Sequence, residues 1–235
     1  MKIDYVMRTH AGRRPRNEDA VLASPQKGLW AVADGMGGHD RGDFASALLM
    51  KALDASPSQG DLQARSVAVL AAIEAANRQL FEMGRVRTGR TIGSTIVVLL
   101  TDPSGFVCLW AGDSRGYLAR GGTLRQLTRD HSLVQDLVDA GQITPAQALS
   151  HPEGHIVTRA AGAAAGIAVD RLDGVIIPGD ALLLATDGLT RVMTDAELGE
   201  VILTDDLPIV ADEMIRTCLV RGAPDNVSFV LLRCG

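Results

Sequence analysis

An apolar run that ends on an aspartate and a glycine-rich turn is the feature that most constrains this chain. Residues 29–33 (LWAVA) have the length and composition of a buried strand. Asp34 follows, and glycines then occupy three of the four positions 35–38 (GMGG), where the backbone can adopt positive φ and approach a ligand closely. The stretch fits an Asp-Gly hairpin turn, and it fits equally a carboxylate that presents an oxygen to a hard cation.

Three further aspartates stand at the end or border of an apolar run in the same way. Asp113 lies in LWAGDSR, Asp187 in ALLLATDGL and Asp225 in RGAPDNVSFV, and Glu18 and Asp19 form a carboxylate pair near the N-terminus. Taken one at a time, each aspartate fits a turn residue better. Taken together they suggest a cluster, because converging carboxylates repel one another unless a cation neutralises them. Oxygen ligands without clustered His or Cys suit Mg²⁺ or Mn²⁺.

Composition argues against several other functions. The net charge of −5 and an aromatic content of 3% give no basis for nucleic-acid binding. The aliphatic runs are too short to cross a bilayer, and the first 14 residues contain no apolar signal segment, so no membrane partner is expected. Cys108, Cys218 and Cys234 match no zinc spacing and indicate a reducing compartment. We therefore expect a cytoplasmic, single-domain protein.

Hydrophobic periodicity predicts helices on either side of a set of short strands. Strands are predicted at residues 3–8, 20–23, 29–33, 91–100, 105–111, 116–120, 123–127, 167–169, 174–177, 181–186 and 226–233. Helices are predicted at 43–54 (capped by Asp43), 62–83, 133–140, 145–149, 194–203 and 208–221. The consecutive runs between residues 91 and 127 are typical of an antiparallel meander, and residues 130–162 of a polar surface insertion. This order favours an α+β layered domain.

Eight motifs occur in the order typical of one protein family: RRPRNEDA, ADGMGGH, GST, WAGDSRGYL, DHSLV, TRAAG, ATDGLT and PDNVSFV. From about residue 8 to residue 232, the chain resembles the PPM (type 2C) metal-dependent protein serine/threonine phosphatases, and most of all the compact bacterial members. The resemblance implies a four-layer α/β/β/α sandwich, in which two antiparallel sheets each carry a helix pair on the outer face. It places the metals at one end of the sandwich and makes residues 131–162 a flap beside them.

The resemblance also implies roles for the matching residues. Asp34 resembles the carboxylate that bridges two metals, and the carbonyl of Gly35 resembles a ligand of one of them. Asp187 and Asp225 match the remaining direct ligands of one metal. Glu18 matches the carboxylate that holds the other metal, partly through water.

Two more positions complete the implied metal site. Asp19 supports Glu18, and Asp113 in GDSR matches a ligand of a weaker third metal, which it shares with Asp187. The implied cofactors are therefore two Mn²⁺ or Mg²⁺ ions, or three if the weaker site fills.

Hydrolysis of a phosphate monoester explains why these residue types belong together. A phosphoserine or phosphothreonine carries close to two negative charges at neutral pH, and a pair of cations offsets that charge and activates a water molecule. Arg14 matches the arginine that binds the substrate phosphate, since its planar guanidinium can contact two oxygens. His39 is the nearest candidate to protonate the leaving alkoxide. It follows Gly35 by four residues, whereas in eukaryotic relatives the His follows Asp-Gly directly, so water remains an alternative donor.

The expected function is therefore dephosphorylation of protein serine and threonine, opposing a bacterial serine/threonine kinase. The expected partners are a phosphorylated protein substrate and a cognate kinase, and nothing in the sequence predicts an oligomer, so we expect a monomer. Two alternatives remain. One is a non-catalytic phosphoprotein-binding module of the same fold, and the other is a phosphatase directed at anti-sigma-factor antagonist proteins.

Overall fold

Two antiparallel sheets with helices outside them make up the computed structural model of the chain, which describes residues 2–37, 41–87, 91–204 and 206–235. The strands are β1 Ile3–His10, β2 Asp19–Ser24, β3 Leu29–Gly37, β4 Ile92–Ser94, β5 Ile96–Asp102, β6 Gly105–Ala111, β7 Arg115–Arg120, β8 Thr123–Gln126, β9 Asp170–Gly174, β10 Ala181–Ala185 and β11 Val227–Cys234. The helices are α1 Gly42–Asp54, α2 Leu62–Arg87, α3 Leu133–Asp139, α4 Pro145–Ala148, α5 Asp187–Thr190, α6 Asp195–Val201 and α7 Leu207–Val220.

The order of strands in the two sheets brings distant parts of the chain together. One sheet has the order β1-β11-β10-β7-β8, and the other has the order β2-β3-β5-β6-β9 with β4 paired to β3. Strand β1 pairs with β11 along its whole length, from Ile3 opposite Cys234 to His10 opposite Val227. Strand β11 therefore lies between β1 at the start of the chain and β10.

Alternation along each strand directs side chains into two different interior layers, because successive residues of a strand point to opposite faces. In β11, Val230 and Leu232 join the layer between the two sheets, whereas Phe229 and Leu231 face the helices. Trp30 and Val32 of β3 fill the layer between the sheets in the same way. Burial on both faces explains why these strands are almost continuously apolar.

The outer layers are helical and amphipathic. Helices α1 and α2 cover the sheet that contains β3, with Leu49, Leu53, Ile73 and Leu80 fully buried against it. Helices α6 and α7 cover the other sheet through residues such as Met214. The predicted α+β, four-layer α/β/β/α sandwich is thus confirmed. No helix among the described residues combines the length and apolarity that a bilayer crossing requires.

Two predictions about the strands are wrong. The run from residue 91 to 127 is not a meander, because the chain crosses from β6 in one sheet to β7 in the other at Gly112, which has φ +122°. The predicted strand at 91–100 is interrupted at Thr95, whose backbone N–H donates to the carbonyl of Asp34 at 2.9 Å.

Three further features of the secondary structure differ from the prediction. The structure has one strand, β9, in place of the predicted strands at 167–169 and 174–177. Strand β9 is a polar edge strand whose residues are half-buried or exposed, so it lacks the hydrophobic alternation of an interior strand. Asp43 does not cap α1, because the helix begins at Gly42 and the Asp43 carboxylate accepts from the N–H of Phe44. Helix α5, which begins at Asp187, was not predicted.

Candidate metal centre

Neighbouring strands place Asp19 and Asp34 side by side. The register of β2 against β3 pairs Asp19 directly with Asp34, so the two carboxylates leave the sheet on the same face. The N–H of Gly35 donates to the carbonyl of Glu18 at 3.1 Å. A Cβ on Gly35 would lie 2.5 Å from that oxygen and 2.1 Å from the carbonyl oxygen of Gly42. Glycine at position 35 therefore lets the segments that carry Asp34 and Glu18 meet.

The second sheet contributes Asp187 and Asp225. Asp187 begins α5 directly after β10, and Asp225 precedes β11, the neighbouring strand. The pairing with β11 continues one residue beyond β10, since the N–H of Thr186 donates to the carbonyl of Ser228 at 2.9 Å. A Cβ on Gly188 would lie only 1.8 Å from the carbonyl oxygen of Asn226. The start of α5 can therefore lie against the start of β11 only because residue 188 has no side chain.

Asp113 lies where the chain crosses from one sheet to the other, and the GST motif fixes this crossing. Thr95 Oγ1 accepts a hydrogen bond from the N–H of Asp34 at 3.0 Å and lies 2.7 Å from Ser114 Oγ. A Cβ on Gly112 would lie 2.5 Å from the Cβ of Thr95. One threonine thus holds the backbone of Asp34 close to the loop that carries Asp113.

These segments enclose a single cavity of about 500 Å³. Of the sequence-predicted residues, the cavity is lined by Arg14, Glu18, Asp34, Gly35, Asp113, Asp187 and Asp225. Asp19 is not among the lining residues; one of its oxygens accepts a hydrogen bond from Thr186 Oγ1 at 2.9 Å. His39, the predicted acid, lies outside the described residues.

The carboxyl groups are held where ionisation is unfavourable. Burial, and then the neighbouring Asp187 carboxylate, raise the pKa of Asp34 well above its ordinary value. Burial also raises the pKa of Asp19 to about 7 and that of Asp113 to about 7. The pKa of Asp187 is raised by burial as well, although the positive charge of Arg191 opposes the shift. A cation in the site would therefore be needed for all of these carboxyl groups to be ionised near neutral pH.

The donor set fits a hard divalent cation. Asp19 Oδ1 and Asp187 Oδ1 are buried and have no hydrogen-bond donor within reach. Within the described residues, no three His, Cys, Asp or Glu side chains already surround one point as a complete ligand set. Instead, Arg14 Nη2 lies 2.8 Å from Asp225 Oδ2, and Arg191 Nε lies 2.9 Å from Asp187 Oδ2. Carboxylate oxygens of this kind suit Mg²⁺ or Mn²⁺. In the structure, Arg14 and Arg191 contact some of the oxygens that a metal ion could use.

Asn226 joins the N-terminal loop to the start of β11. Its amide nitrogen donates to the carbonyls of Ala11 and Arg16, each at 2.9 Å, and its amide oxygen accepts from the N–H of Glu18 at 2.7 Å. Three hydrogen bonds from one side chain thus fix the loop that carries Arg14 and Glu18 beside Asp225.

Residues 130 and 131 hold the Asp113 loop from both sides. The N–H of His131 donates to the carbonyl of Gly112 at 2.9 Å, and His131 Nδ1 accepts from the N–H of Gly112 at 3.1 Å. Arg115, two residues beyond Asp113, binds both carboxylate oxygens of Asp130, with its Nη2 at 2.8 Å. The backbone on each side of Asp113 is therefore anchored to the start of the 131–162 segment.

The hydrogen bonds of His131 define its protonation state. Because Nδ1 accepts from a backbone N–H, we infer that the proton sits on Nε2, which lies 3.3 Å from Asp170 Oδ2. Burial lowers the pKa of His131, which keeps the ring neutral near pH 7. His131 is thus a buried positioning residue, in keeping with its lack of any ligand-like spacing in the sequence.

We expect His131→Ala to lower the free energy of unfolding by about 1–3 kcal/mol, because the buried N–H of Gly112 loses its acceptor. Mn²⁺ affinity should fall at the same time, since the Asp113 loop is no longer fixed. His131→Asn should recover part of both losses, as the Asn oxygen can take the place of Nδ1. Urea unfolding and Mn²⁺ titration measure the two effects. His151→Ala removes a similar Nδ1 acceptor outside the core and serves as the control; equal losses in both variants would contradict the role.

Three residues of this region were not assigned by sequence analysis. Arg191 contacts two of the carboxylates, Asn226 fixes the N-terminal loop, and His155 lines the cavity. Arg191 lies four residues after Asp187, which is one helical turn, so predicting α5 would have placed it on the same face as Asp187. Asn226 could have been noted as the neighbour of Asp225, whereas His155 carries no local signal.

Comparisons with known proteins identify the family of this chain. Residues 6–136, more than half of the chain, match the Protein phosphatase 2C family. The chain belongs to that family. It is 37% identical over 236 residues to the serine/threonine protein phosphatase PstP of Mycobacterium tuberculosis, a match that covers 97% of this chain and 44% of PstP. This chain thus spans less than half the length of that relative. The family resemblance inferred from the motifs is confirmed.

Solved structures of the family share the fold over the full chain. PppA, described as a key regulatory component of T6SS in Pseudomonas aeruginosa, superposes with a TM-score of 0.92 at 36% identity, covering 100% of this chain and 99% of PppA. The catalytic domain of PstP in complex with 2 manganese ions gives a TM-score of 0.83 at 34% identity, covering 98% and 97% of the two chains. A family member of closely similar fold therefore binds manganese.

Proposed function

We propose that this member of the protein phosphatase 2C family is a metal-dependent protein serine/threonine phosphatase. The observation that carries the proposal is the convergence of five acidic side chains and Arg14 on one cavity, although they come from five separate segments of the chain. The name of PstP and the manganese ions in its catalytic domain support the same activity.

The proposed metal ligands follow the sequence motifs. Asp34 would be shared by two ions, and the Gly35 carbonyl would be a ligand of one of them. Asp187 and Asp225 would be the remaining direct ligands of one ion. Glu18, supported by Asp19, would hold the other ion, and Asp113 would share a weaker third ion with Asp187. When bound, Mn²⁺ or Mg²⁺ supplies positive charge for the phosphate and a nucleophilic hydroxide at neutral pH.

The chain's own side chains would bind the substrate phosphate. The Arg14 side chain is 57% exposed and lines the cavity, where its guanidinium can contact two phosphate oxygens. Its guanidinium lies at the cavity wall, where Nη2 donates to Asp225 Oδ2 at 2.8 Å. His39 stays the proposed acid for the leaving alkoxide.

We further propose that the chain acts as one domain and that residues 131–162 form a flap over the site. His155 and Val157 of this segment line the cavity, which supports contact with substrate. The proposed substrate is a phosphorylated protein, the proposed opposing enzyme is a serine/threonine kinase, and the proposed state is a cytoplasmic monomer.

A metal titration tests the activity. We expect metal-stripped protein to hydrolyse a phosphothreonine peptide and an aryl phosphate only after Mn²⁺ is added, and to lose both activities with chelator. Asp187→Asn should be inactive on both esters, and Arg216→Gln, which changes a surface residue of α7, should behave as wild type. Metal binding without turnover of either ester would instead support a phosphoprotein-binding module. Faster turnover of a phosphorylated anti-sigma-factor antagonist than of the peptide would favour the other alternative.

A further inference from the structure

One arginine beside the metal centre contacts three separate segments of the chain. Arg191 Nη2 lies 3.2 Å from Asp113 Oδ2, and Arg191 Nε lies 2.9 Å from Asp187 Oδ2. The same Nη2 donates to the carbonyl of Gly154 at 3.1 Å. Gly154 belongs to the 131–162 segment, so a single guanidinium joins two carboxylates of the site to the proposed flap.

The position of Arg191 follows from local structure. Helix α5 begins at Asp187, and Arg191 follows the last residue of that helix, one turn later, which brings its side chain beside the carboxylate. The carboxylates of Asp113 and Asp187 are 6% and 13% exposed, whereas the arginine side chain is 42% exposed. The arginine can therefore withdraw into solvent, but the two carboxylates cannot.

We propose that Arg191 is an internal cation that competes with the weakly held metal ion for Asp113 and Asp187, and that its displacement releases Gly154. This inference rests on the proposed function, because it concerns the third metal site of that centre. It adds regulation of the flap by an arginine to which neither the sequence motifs nor the comparisons give a role.

Competition follows from the chemistry of the oxygens. The guanidinium N–H groups and a divalent ion use the same carboxylate lone pairs, so one must leave before the other can bind fully. Because the two cations exclude each other, whatever weakens the hold of Arg191 on the carboxylates tightens metal binding there, by at most the same factor. Metal binding at this pair would then free the Gly154 carbonyl and loosen the flap.

The first test measures metal binding directly. Calorimetric titration of metal-stripped protein with Mn²⁺ should show that Arg191→Gln tightens the weakest binding step by about fivefold, as expected for the loss of two partly exposed ion pairs. The tighter steps should change less. Arg191→Lys keeps the positive charge but loses the planar guanidinium, so its weakest step should lie between those of wild type and Arg191→Gln. Arg216→Gln removes a surface arginine elsewhere as a matched control. Thermal unfolding of each variant checks that it is folded.

The second test follows the flap. In the wild type, backbone hydrogen exchange in peptides that cover residues 150–156 should become faster once Mn²⁺ occupies the weakest site. In Arg191→Gln, exchange in the same peptides should be fast with or without Mn²⁺. Weaker or unchanged Mn²⁺ binding in Arg191→Gln would overturn the proposal, as would wild-type exchange that does not rise with metal. Turnover of a phosphothreonine peptide by the wild type tests the proposed function separately; a wild type that binds no Mn²⁺ would overturn both.

Discussion

Asp34→Asn is expected to lower phosphopeptide turnover by at least about 1,000-fold, because it removes the proposed bridging ligand. The same change should stabilise the metal-free protein near pH 7, because burial disfavours the ionised carboxylate of Asp34 and an amide carries no charge. A carboxyl whose folded pKa lies above its unfolded pKa loses stabilising free energy as pH rises between the two values. The pKa of Asp34 is raised by burial, so the metal-free wild type should lose stability as pH rises above about 4. The stability advantage of Asp34→Asn should grow over the same pH range.

Urea unfolding, once in chelator and once in excess Mn²⁺, measures the stability of Asp34→Asn and wild type without and with metal. Without metal Asp34→Asn should be the more stable protein, and with Mn²⁺ the wild type should overtake it, because ligand binding to the folded state adds stability. Asp212→Asn, which changes an exposed carboxylate paired with Arg8, provides the control. A metal-free Asp34→Asn protein less stable than wild type would show that this carboxylate contributes to folding before any metal binds.

Gly188→Ala is expected to damage both the fold and the metal centre. An added Cβ would lie 1.8 Å from the Asn226 carbonyl oxygen and 2.8 Å from its carbon, and both atoms belong to backbone that cannot rotate away. Either α5 or the start of β11 must move, which separates Asp187 from Asp225. We expect a loss of about 3 kcal/mol in the free energy of unfolding. Mn²⁺ affinity should fall at least about tenfold, measured by titration at a temperature where the variant is folded.

Gly166→Ala is the matched control for this change. A Cβ added at position 166 would have no other atom within 4 Å, and the backbone there does not need the left-handed region, so alanine should be accepted. Normal Mn²⁺ affinity in a destabilised Gly188→Ala would show that Asp187 and Asp225 keep their arrangement without the close approach of α5 to β11.

Sequence analysis was most successful where a residue pattern has local causes. The hairpin that pairs Asp19 with Asp34 follows from two apolar runs joined by a short turn, and helix α6 follows from its capping box, in which Thr194 and Glu197 bind each other's backbone N–H. The convergence of Asp113, in contrast, was suggested by the joint pattern of the aspartates and by the family resemblance, and by no local signal at its own position. Its loop crosses between sheets, and no local pattern distinguishes that crossing from a hairpin.

What the sequence could not predict depends on tertiary contacts. Strand β9 contains Asp170, Arg171 and Asp173 and forms because the edge of β6 offers it backbone partners. Helix α5 is four residues long, too short for a hydrophobic period, so the position of Arg191 was hidden. Asn226 gains its role from Ala11, which is 215 residues away in sequence.

The pairing of β1 with β11 determines when the metal centre can assemble during synthesis of the chain. Strand β1 is the first of the described strands to be synthesised, yet its hydrogen-bonding partner β11 is the last of them. The loop that carries Arg14 and Glu18 is fixed by Asn226, so it too can be fixed only after the start of β11 has been synthesised. Because contacts this distant in sequence form late and slowly, the sheet that contains β1, the layer between the two sheets and the metal centre would be completed only after β11 has emerged. Chains that end before β11 would then carry most of the acidic residues but no assembled metal centre.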